Sequence, residues 1–370
     1  MRTYIHQLPD WPRFHWNSDR LEPRLASLRH RQGRLMGHME AIGFQVRDDT
    51  ILSMMSQDAV KTSEIEGERL NYDQVRSSLA RKLGMEHYSL APVDRNVEGI
   101  VDILIDATRN YHQPLTAERI FGWHSLLFPT GWSGMRRIEV GGWRTDRMGP
   151  MQVVSGPIGR ERVHYEAPAA ARVGDDMRAF LEWFNGAAPL DGVLRAALAH
   201  LWFVTVHPLE DGNGRIARAI ADMALARSEE SPRRFYSMSA QIREERDQYY
   251  RILEVSQRGS LDVTLWMEWF LDCLDRAILA AQNALAGTLD KARLWDRINQ
   301  HSINPRQRMM INRLIDGFQG KLNTSKWATI AKCSQDTALR DIAELIEIGV
   351  LVKSDAGGRS TSYTLALGRE

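Results

Sequence analysis

The segment His207 to Arg218 reads HPLEDGNGRIAR, and its residue types and spacing suit phosphate chemistry. An apolar run, LWFVTV, ends at His207 and Pro208. A polar loop with two glycines follows. Ile216, Ile220 and Met223 then recur at helical spacing, so a new helix opens near Arg215. Gly212 and Gly214 have no Cβ to block approach to the backbone, and their N–H groups, with those of the opening helical turn, can face an anion. Arg215 and Arg218 stand three apart, on one helix face near the positive end of the dipole, where two guanidinium forks suit polyphosphate oxygens. Asp211 offers a hard oxygen beside them. Mg²⁺ usually binds through one or two carboxylates plus the substrate's own phosphates, so one acid suffices. His207 is the one group in the segment that accepts a proton near neutral pH.

Other readings compete on the same residues. Arg218 could pair with Asp222 on the surface, and His207 could be structural. Gly212, Gly214 and Ala217 also match a G-x-G-x-x-A dinucleotide fingerprint, with Glu229 and Glu230 where a ribose-binding acid falls. That fingerprint needs repeated βαβ units, whereas the preceding residues offer one hairpin and otherwise helical periodicity. His200, inside an apolar helix, reads as a hydrogen-bonded core histidine.

The elements that must position this loop are mostly helices. Apolar spacing from about Ser18 to Leu83 describes a helical N-terminal region. Two more helices are expected between Pro92 and Leu127, the second capped at Thr116 and ended by Pro129 and Gly131. MQVVSGPIGRERVHYEAP, residues 151–168, reads as two short strands around a Gly-Pro turn. Helix returns at Ala169–Asn185, Val193–Val206, Arg215–Arg227, Ile242–Ser256 and Leu265–Leu285. After Lys291 comes a compact block: NPRQRMMINRLIDGF and NTSKWATIAK as helices, a turn at CSQD, and TALRDIAELIEIGVL as a further helix. Val350–Lys353 and Ser362–Leu367 then alternate like strands around DAGGRS.

Taken together, HPLEDGNGRIAR resembles the signature of the Fic family: His-Pro-Phe, any residue, Asp or Glu, Gly-Asn-Gly-Arg, two residues, Arg. Leu209 replaces the usual Phe, a position that faces the core in the family. The resemblance covers roughly residues 10–285. It implies a mainly α Fic-fold bundle with a β-hairpin flap, and transfer of AMP from ATP, with Mg²⁺, to a Ser, Thr or Tyr hydroxyl of a protein. By position, His207 is the implied base and Asp211 the Mg²⁺ ligand. Gly212, Asn213, Gly214 and Arg215 form the implied anion hole, and Arg218 reaches the γ-phosphate. The 151–168 hairpin takes the place of the flap that aligns a target by strand addition. Tyr250, paired with Tyr249, resembles an aromatic bordering the adenine pocket, against a core-packing alternative.

KTSEIEGERL, residues 61–70, carries a second pattern. Locally, Ser63 and Glu66 make a capping box that would start a helix. Against the family, Thr62, Glu66 and Gly67 match an inhibitory pattern of Ser or Thr, three residues, Glu, then Gly or Asn. The resemblance implies that Glu66 pairs with Arg218, leaving ATP in an unproductive pose, and that the same Glu positions water for AMP removal.

The C-terminal block resembles a winged helix-turn-helix, with Gln335, Thr337, Arg340 and Arg359 as groove readers. Asp341, Glu344 and Glu347 on the same helix oppose phosphate contact. The expected division is 1–90, N-terminal region with the inhibitory pattern; 91–290, catalytic domain; 291–370, winged helix. The rival reading is a transcriptional regulator that senses a nucleotide and acts through the winged helix, with DNA and a homodimer left open as partners. The 48 basic residues nearly cancel the 47 acidic, a formal charge of +1, so bulk electrostatics favour neither nucleic acid nor a membrane surface. Cys273 and Cys333 have no metal-ligand spacing and suggest no disulfide framework, and no run approaches a membrane span. A cytoplasmic protein is expected.

Overall fold

The computed structural model describes residues 3–366 except 86–91, 148, 158–159, 161, 188, 316, 319 and 355–360. It divides into two compact units, Met1–Ala281 and Gln282–Glu370. None of the described helices is long and apolar enough to cross a membrane.

The first unit begins with a 3-10 turn and the helices α1 (Ser18–Ala41), α2 (Phe44–Ile65) and α3 (Tyr72–Leu83), followed by α4 (Arg95–Arg109) and α5 (Ala117–Leu127). Thr116 caps α5 as expected, its side chain accepting from the Arg119 N–H. Two residue pairs that the sequence did not suggest, β1 (Trp132–Ser133) and β2 (Arg136–Arg137), make a minimal ladder. The expected hairpin is β3 (Gln152–Ser155) antiparallel to β4 (Arg162–Glu166).

Then come α6 (Ala170–Asn185), α7 (Gly192–Val206) and α8 (Asn213–Glu229). Every residue of α7 from Val193 is buried except Arg195, so the helix is apolar all round and sits at the centre of the bundle. Each Leu, Phe or Val it sinks contributes about 1.5–3 kcal/mol. Three ties hold α1 to this centre: Arg29 to Asp191 at 2.9 Å and to Ser228 at 2.6 Å, and Gln32 to Glu229 at 2.6 Å.

The helix expected at Ile242–Ser256 is two helices, α9 (Met238–Glu244) and α10 (Arg246–Ser256). They break at Glu245 (φ −101°, ψ 25°), whose carboxylate is gripped by both arms of Arg276 at 2.6 Å. The helix α11 (Thr264–Asn299) runs beyond the expected Leu285, so the change of composition at Lys291 marks no break in it, and its residues from Gln282 on belong to the second unit.

The second unit holds α12 (Pro305–Ile315), α13 (Thr324–Ala331), α14 (Gln335–Glu347), and antiparallel β5 (Leu351–Lys353) and β6 (Tyr363–Leu365), with a bridge from Leu322 to Tyr363. Trp327, Met310, Ile342 and Leu345 form its core. The expected order of helix, helix-turn-helix and two strands is present. Gln335 and Arg340 are exposed and Thr337 is half-buried, while Arg359 lies outside the described residues. Asp341 corrects the sequence expectation: it is buried and paired with Arg306 at 3.0 Å, so its charge faces inward. Glu344 accepts from Gln307 at 2.8 Å.

Candidate active site

The loop between α7 and α8 is shaped by a left-handed residue at each end. His207 closes α7 at φ 51°, ψ 57°, and Gly212 opens α8 at φ 79°, ψ 3°. Gly212 has the left-handed φ that favours glycine, and a Cβ there would stand in tight contact, 3.0 Å, with the side chains of Leu127 and Phe128. Asn213 staples the turn, its side chain accepting from the Leu209 N–H at 3.0 Å and donating to the Leu209 carbonyl at 2.8 Å. Leu209 is wholly buried, as expected. The Asn213 side chain is therefore spent on the loop, and the Gly212 N–H is spent on Asp211 Oδ1 at 2.6 Å. The amides of Asn213, Gly214 and Arg215 lie in the first helical turn, where no intrahelical acceptor exists for them.

Arg144, which the sequence reading missed, holds the loop from below. Its side chain is wholly buried; Nε donates to the His207 carbonyl at 2.7 Å, Nη2 to the Pro168 carbonyl, and its own N–H to the Pro208 carbonyl at 2.9 Å. No motif spacing links position 144 to 207, so only the fold brings them together.

His207 Nδ1 lies 3.3 Å from the Val204 carbonyl. A carbonyl only accepts, so Nδ1 carries the proton and Nε2 keeps a lone pair. Desolvation lowers the ring pKa to about 4, which keeps it neutral at physiological pH. Asp211 accepts from the Ser133 hydroxyl and the Gly212 N–H. Buried His124 stands within electrostatic reach of Asp211 and Arg215, its pKa brought to about 4 by desolvation.

The two arginines do not pair with Asp222, which takes Arg234 at 2.8 Å instead. Arg218 is 3% exposed and meets the end of α2: Nε donates to Thr62 Oγ1 at 2.6 Å, and Nη2 to the Thr62 carbonyl and to Glu66 Oε1, both at 2.8 Å. Arg215 Nη1 donates to Glu68 Oε2 at 2.6 Å, and its guanidinium lies 5.0 Å from the Phe128 ring centre. Arg215 Nε and Arg218 Nη1 are buried with no partner among the described residues. Both remain donors for a further acceptor.

Residues 62–68 end a helix and do not begin one, so Ser63 and Glu66 make no capping box. The Gly67 N–H reaches the Glu64 carbonyl at 3.1 Å and the Glu68 N–H reaches the Ser63 carbonyl at 3.0 Å, with Gly67 at φ 87°. This is a Schellman closure, and glycine supplies its left-handed residue. It sets Glu66 and Glu68 on either side of Gly67, one on each arginine. Glu66 also lies against the Gly214 Cα: a Cβ at 214 would overlap its Oε1 and stand 3.0 Å from its Cδ. Glu68 has no place in the expected pattern, and nothing in its spacing alone marks it.

Tyr249 and Tyr250 part company. Tyr249 is buried, its hydroxyl 2.9 Å from Nε2 of the core histidine His200. Tyr250 is half-buried and donates to the Ile65 carbonyl at 3.3 Å, which also receives Arg246 Nε at 2.9 Å. Glu66, His207, Gly214 and Tyr250 border one cavity of about 510 Å³, closed on another side by β3 and β4. Tyr165 ties β4 to α7, its hydroxyl donating to the Thr205 carbonyl at 2.6 Å.

Comparison with known proteins places this site in a recognised domain. Residues 114–225 match the Fic/DOC family, and residues 4–85, including Thr62, Glu66 and Gly67, match a separate domain of unknown function, DUF4172. The Fic match is thus narrower than the 10–285 span of the sequence resemblance. Protein adenylyltransferase Fic of Drosophila willistoni is 30% identical over 104 residues, 28% of this chain and 19% of that protein; the Drosophila melanogaster protein is 30% identical over 104 residues, 28% and 20%. The chain therefore matches only a small part of these relatives. A Fic family protein from Desulfovibrio desulfuricans superposes with a TM-score of 0.52 at 19% identity, covering 93% of this chain and 96% of that one. A Fic-domain signaling protein from Bacteroides thetaiotaomicron does so with 0.52 at 19%, covering 70% and 97%. With the signature loop, its helical frame and its hairpin assembled as described, residues 114–225 are similar to the Fic/DOC family, and the chain shares the fold of solved Fic-family structures.

Proposed function

We propose that the protein is an adenylyltransferase that moves AMP from ATP to Ser, Thr or Tyr hydroxyls of a target protein, held silent by Glu66. The observation that carries this reading is the seat of the Glu66 carboxylate, against Gly214 and on Arg218. An anion already occupies the cradle at the start of α8. A γ-phosphate offers the guanidinium the same charge and acceptor geometry, so the two compete.

In the reaction the target hydroxyl oxygen attacks the α-phosphorus, the bond to the β-phosphate breaks, pyrophosphate leaves, and the hydroxyl proton passes to His207 Nε2. The first-turn amides at Asn213, Gly214 and Arg215, together with the two guanidinium groups, receive the phosphate charge in a preorganised site. Asp211 would hold Mg²⁺, which neutralises phosphate charge when bound. Its partners, a hydroxyl and an amide, are neutral, so the carboxylate charge fits a cation. Tyr250 borders the space for the adenine. β3 belongs to a two-stranded sheet and offers an edge for a target segment. Glu66 positions water for the reverse removal of AMP. Functionally the chain is read as 1–90 brake, 91–290 catalytic domain and 291–370 winged helix.

Incubation with labelled ATP and Mg²⁺ tests this: label is weak in the wild type, rises in Glu66→Gly, and vanishes in Glu66→Gly/His207→Ala. Absence of label in Glu66→Gly refutes it. The inward, neutralised Asp341 favours a second role, DNA contact by α14, since it removes one of the three acids expected to repel phosphate. Salt-dependent gel retardation on random duplex tests that role.

A further inference from the structure

Glu210 and Asp211 are adjacent acids in the signature loop, and the short hairpin β1–β2 treats them differently. Its register sets Ser133 opposite Arg136 and Trp132 opposite Arg137. Side chains directly opposite on a ladder share a face, so Ser133 and Arg136 project one way and Trp132 and Arg137 the other. The first pair meets the loop. The Ser133 hydroxyl donates to Asp211 Oδ2, while Arg136 Nη2 lies 3.6 Å from Glu210 Oε2, which also accepts from the Glu139 N–H at 3.1 Å. The second pair is exposed.

The consequence is electrostatic. Glu210 has a guanidinium and an amide on one oxygen, so its charge is offset within the protein. The hydrogen-bond partners of Asp211 are both neutral: the Ser133 hydroxyl on Oδ2 and the Gly212 N–H on Oδ1 at 2.6 Å. One neutral donor on each oxygen fixes the plane of the carboxylate and leaves its charge and remaining lone pairs for a cation. Two features brace Ser133 itself. Gly134 opens the two-residue turn at φ 56°, which glycine accepts and which suits the twist of a hairpin. Just beyond the ladder the Ile138 N–H donates to the Gly131 carbonyl at 3.0 Å, and the Ile138 side chain is buried.

We propose that Ser133 is a positioning residue of the cation site: its hydroxyl, carried by β1–β2, holds the Asp211 carboxylate in the orientation that receives Mg²⁺ with the nucleotide's phosphates. The inference rests on the adenylyltransferase reading and goes beyond it, since the signature loop contributes Asp211 alone. Carboxylates that bind metals are oriented by such outer hydrogen bonds, and loss of one lowers metal affinity about 10- to 100-fold. Arg136 acts on Glu210, so its loss leaves both donors to Asp211 in place.

The test is Mn²⁺ binding, read by electron paramagnetic resonance, to full-length Glu66→Gly holding an ATP analogue with a non-cleavable α,β bridge, with Asp211→Ala added as the baseline. Ser133→Ala is expected to weaken Mn²⁺ about 10- to 100-fold in that background, and Ser133→Thr, which keeps the hydroxyl, to restore it. In AMP labelling, the Mg²⁺ concentration for half-maximal rate rises by the same factor in Ser133→Ala. The rate at saturating Mg²⁺ returns toward that of Glu66→Gly, and affinity for the analogue in the presence of a chelator is unchanged. Arg136→Ala, in the same hairpin, leaves Mn²⁺ affinity where it was. Unchanged Mn²⁺ affinity in Ser133→Ala, or equal losses in Ser133→Ala and Arg136→Ala, overturns the inference and leaves the adenylyltransferase reading standing. Mn²⁺ bound no more tightly with Asp211 than with Ala at that position removes the cation ligand and the inference with it. Absence of all label in Glu66→Gly defeats the adenylyltransferase reading, and the inference falls too.

Discussion

Replacing Glu66 by Gly is expected to raise the rate of AMP transfer about 10- to 150-fold. Arg218 is almost wholly buried and Glu66 is 31% exposed, with Nη2 and Oε1 2.8 Å apart. A hydrogen bond to a charged group in such a place contributes about 1.5–3 kcal/mol. If ATP reacts only from molecules in which Arg218 is free, removing the bond multiplies that population by the corresponding factor. Glu68 supplies the control. Its bond to Arg215 is shorter, 2.6 Å, but its side chain is 36% exposed, so solvent screening reduces the contribution to about 0.5–1 kcal/mol. Glu68→Ala is accordingly expected to gain only about 2- to 5-fold. Glu66 is the last residue before the left-handed Gly67, at φ −87°, ψ 3°, a conformation glycine accepts, so the Schellman closure survives the change. The assay is initial-rate incorporation of labelled AMP at fixed ATP and Mg²⁺, with thermal denaturation alongside to show that the variants fold. Equal, small gains from Glu66→Gly and Glu68→Ala would refute the reasoning, because Arg218 would then not be the gated group. The double variant should give the product of the two factors if the guanidinium groups act independently.

Other outcomes follow from the same geometry. With its pKa lowered to about 4 by desolvation, His207 is already neutral at pH 6, so the transfer rate should hold between pH 8 and 6 and fall only as pH approaches 4. A kinetic midpoint near 6.5 would contradict this. His200 is wholly desolvated, with its pKa near 3 against 6.5 in the unfolded chain. Its contribution to stability is therefore complete above pH 6.5 and is lost as pH falls from 6.5 toward 3, by about 1.4 kcal/mol per unit. Denaturant titrations of His200→Phe should show a shallower loss across that window. Arg144→Met leaves the His207 and Pro168 carbonyls without their donor, so chemical denaturation should report a loss of about 2–4 kcal/mol, and AMP transfer should fall because the loop is no longer held.

Local physics made much of this protein legible in its sequence. The HPLEDGNGRIAR segment announces a turn between helices because a polar loop with two glycines follows an apolar run and Ile216, Ile220 and Met223 then repeat at helical spacing. Thr116 announces a cap, and the 151–168 stretch announces a hairpin, since caps and turns depend on residues a few positions apart. The break between α9 and α10 was not legible in this way; Glu245, where it falls, is held by Arg276, far along the chain. The parts that tertiary structure alone decided are contacts across long separations. Arg144 reaches the loop at 207 and 208, Glu68 reaches Arg215, and Ser133 reaches Asp211, each pair set by where helices and hairpins dock. A side chain's partner over such distances depends on packing that no periodicity encodes. The sequence therefore specified which groups could bind phosphate and accept a proton, and the fold decided which carboxylates those groups meet.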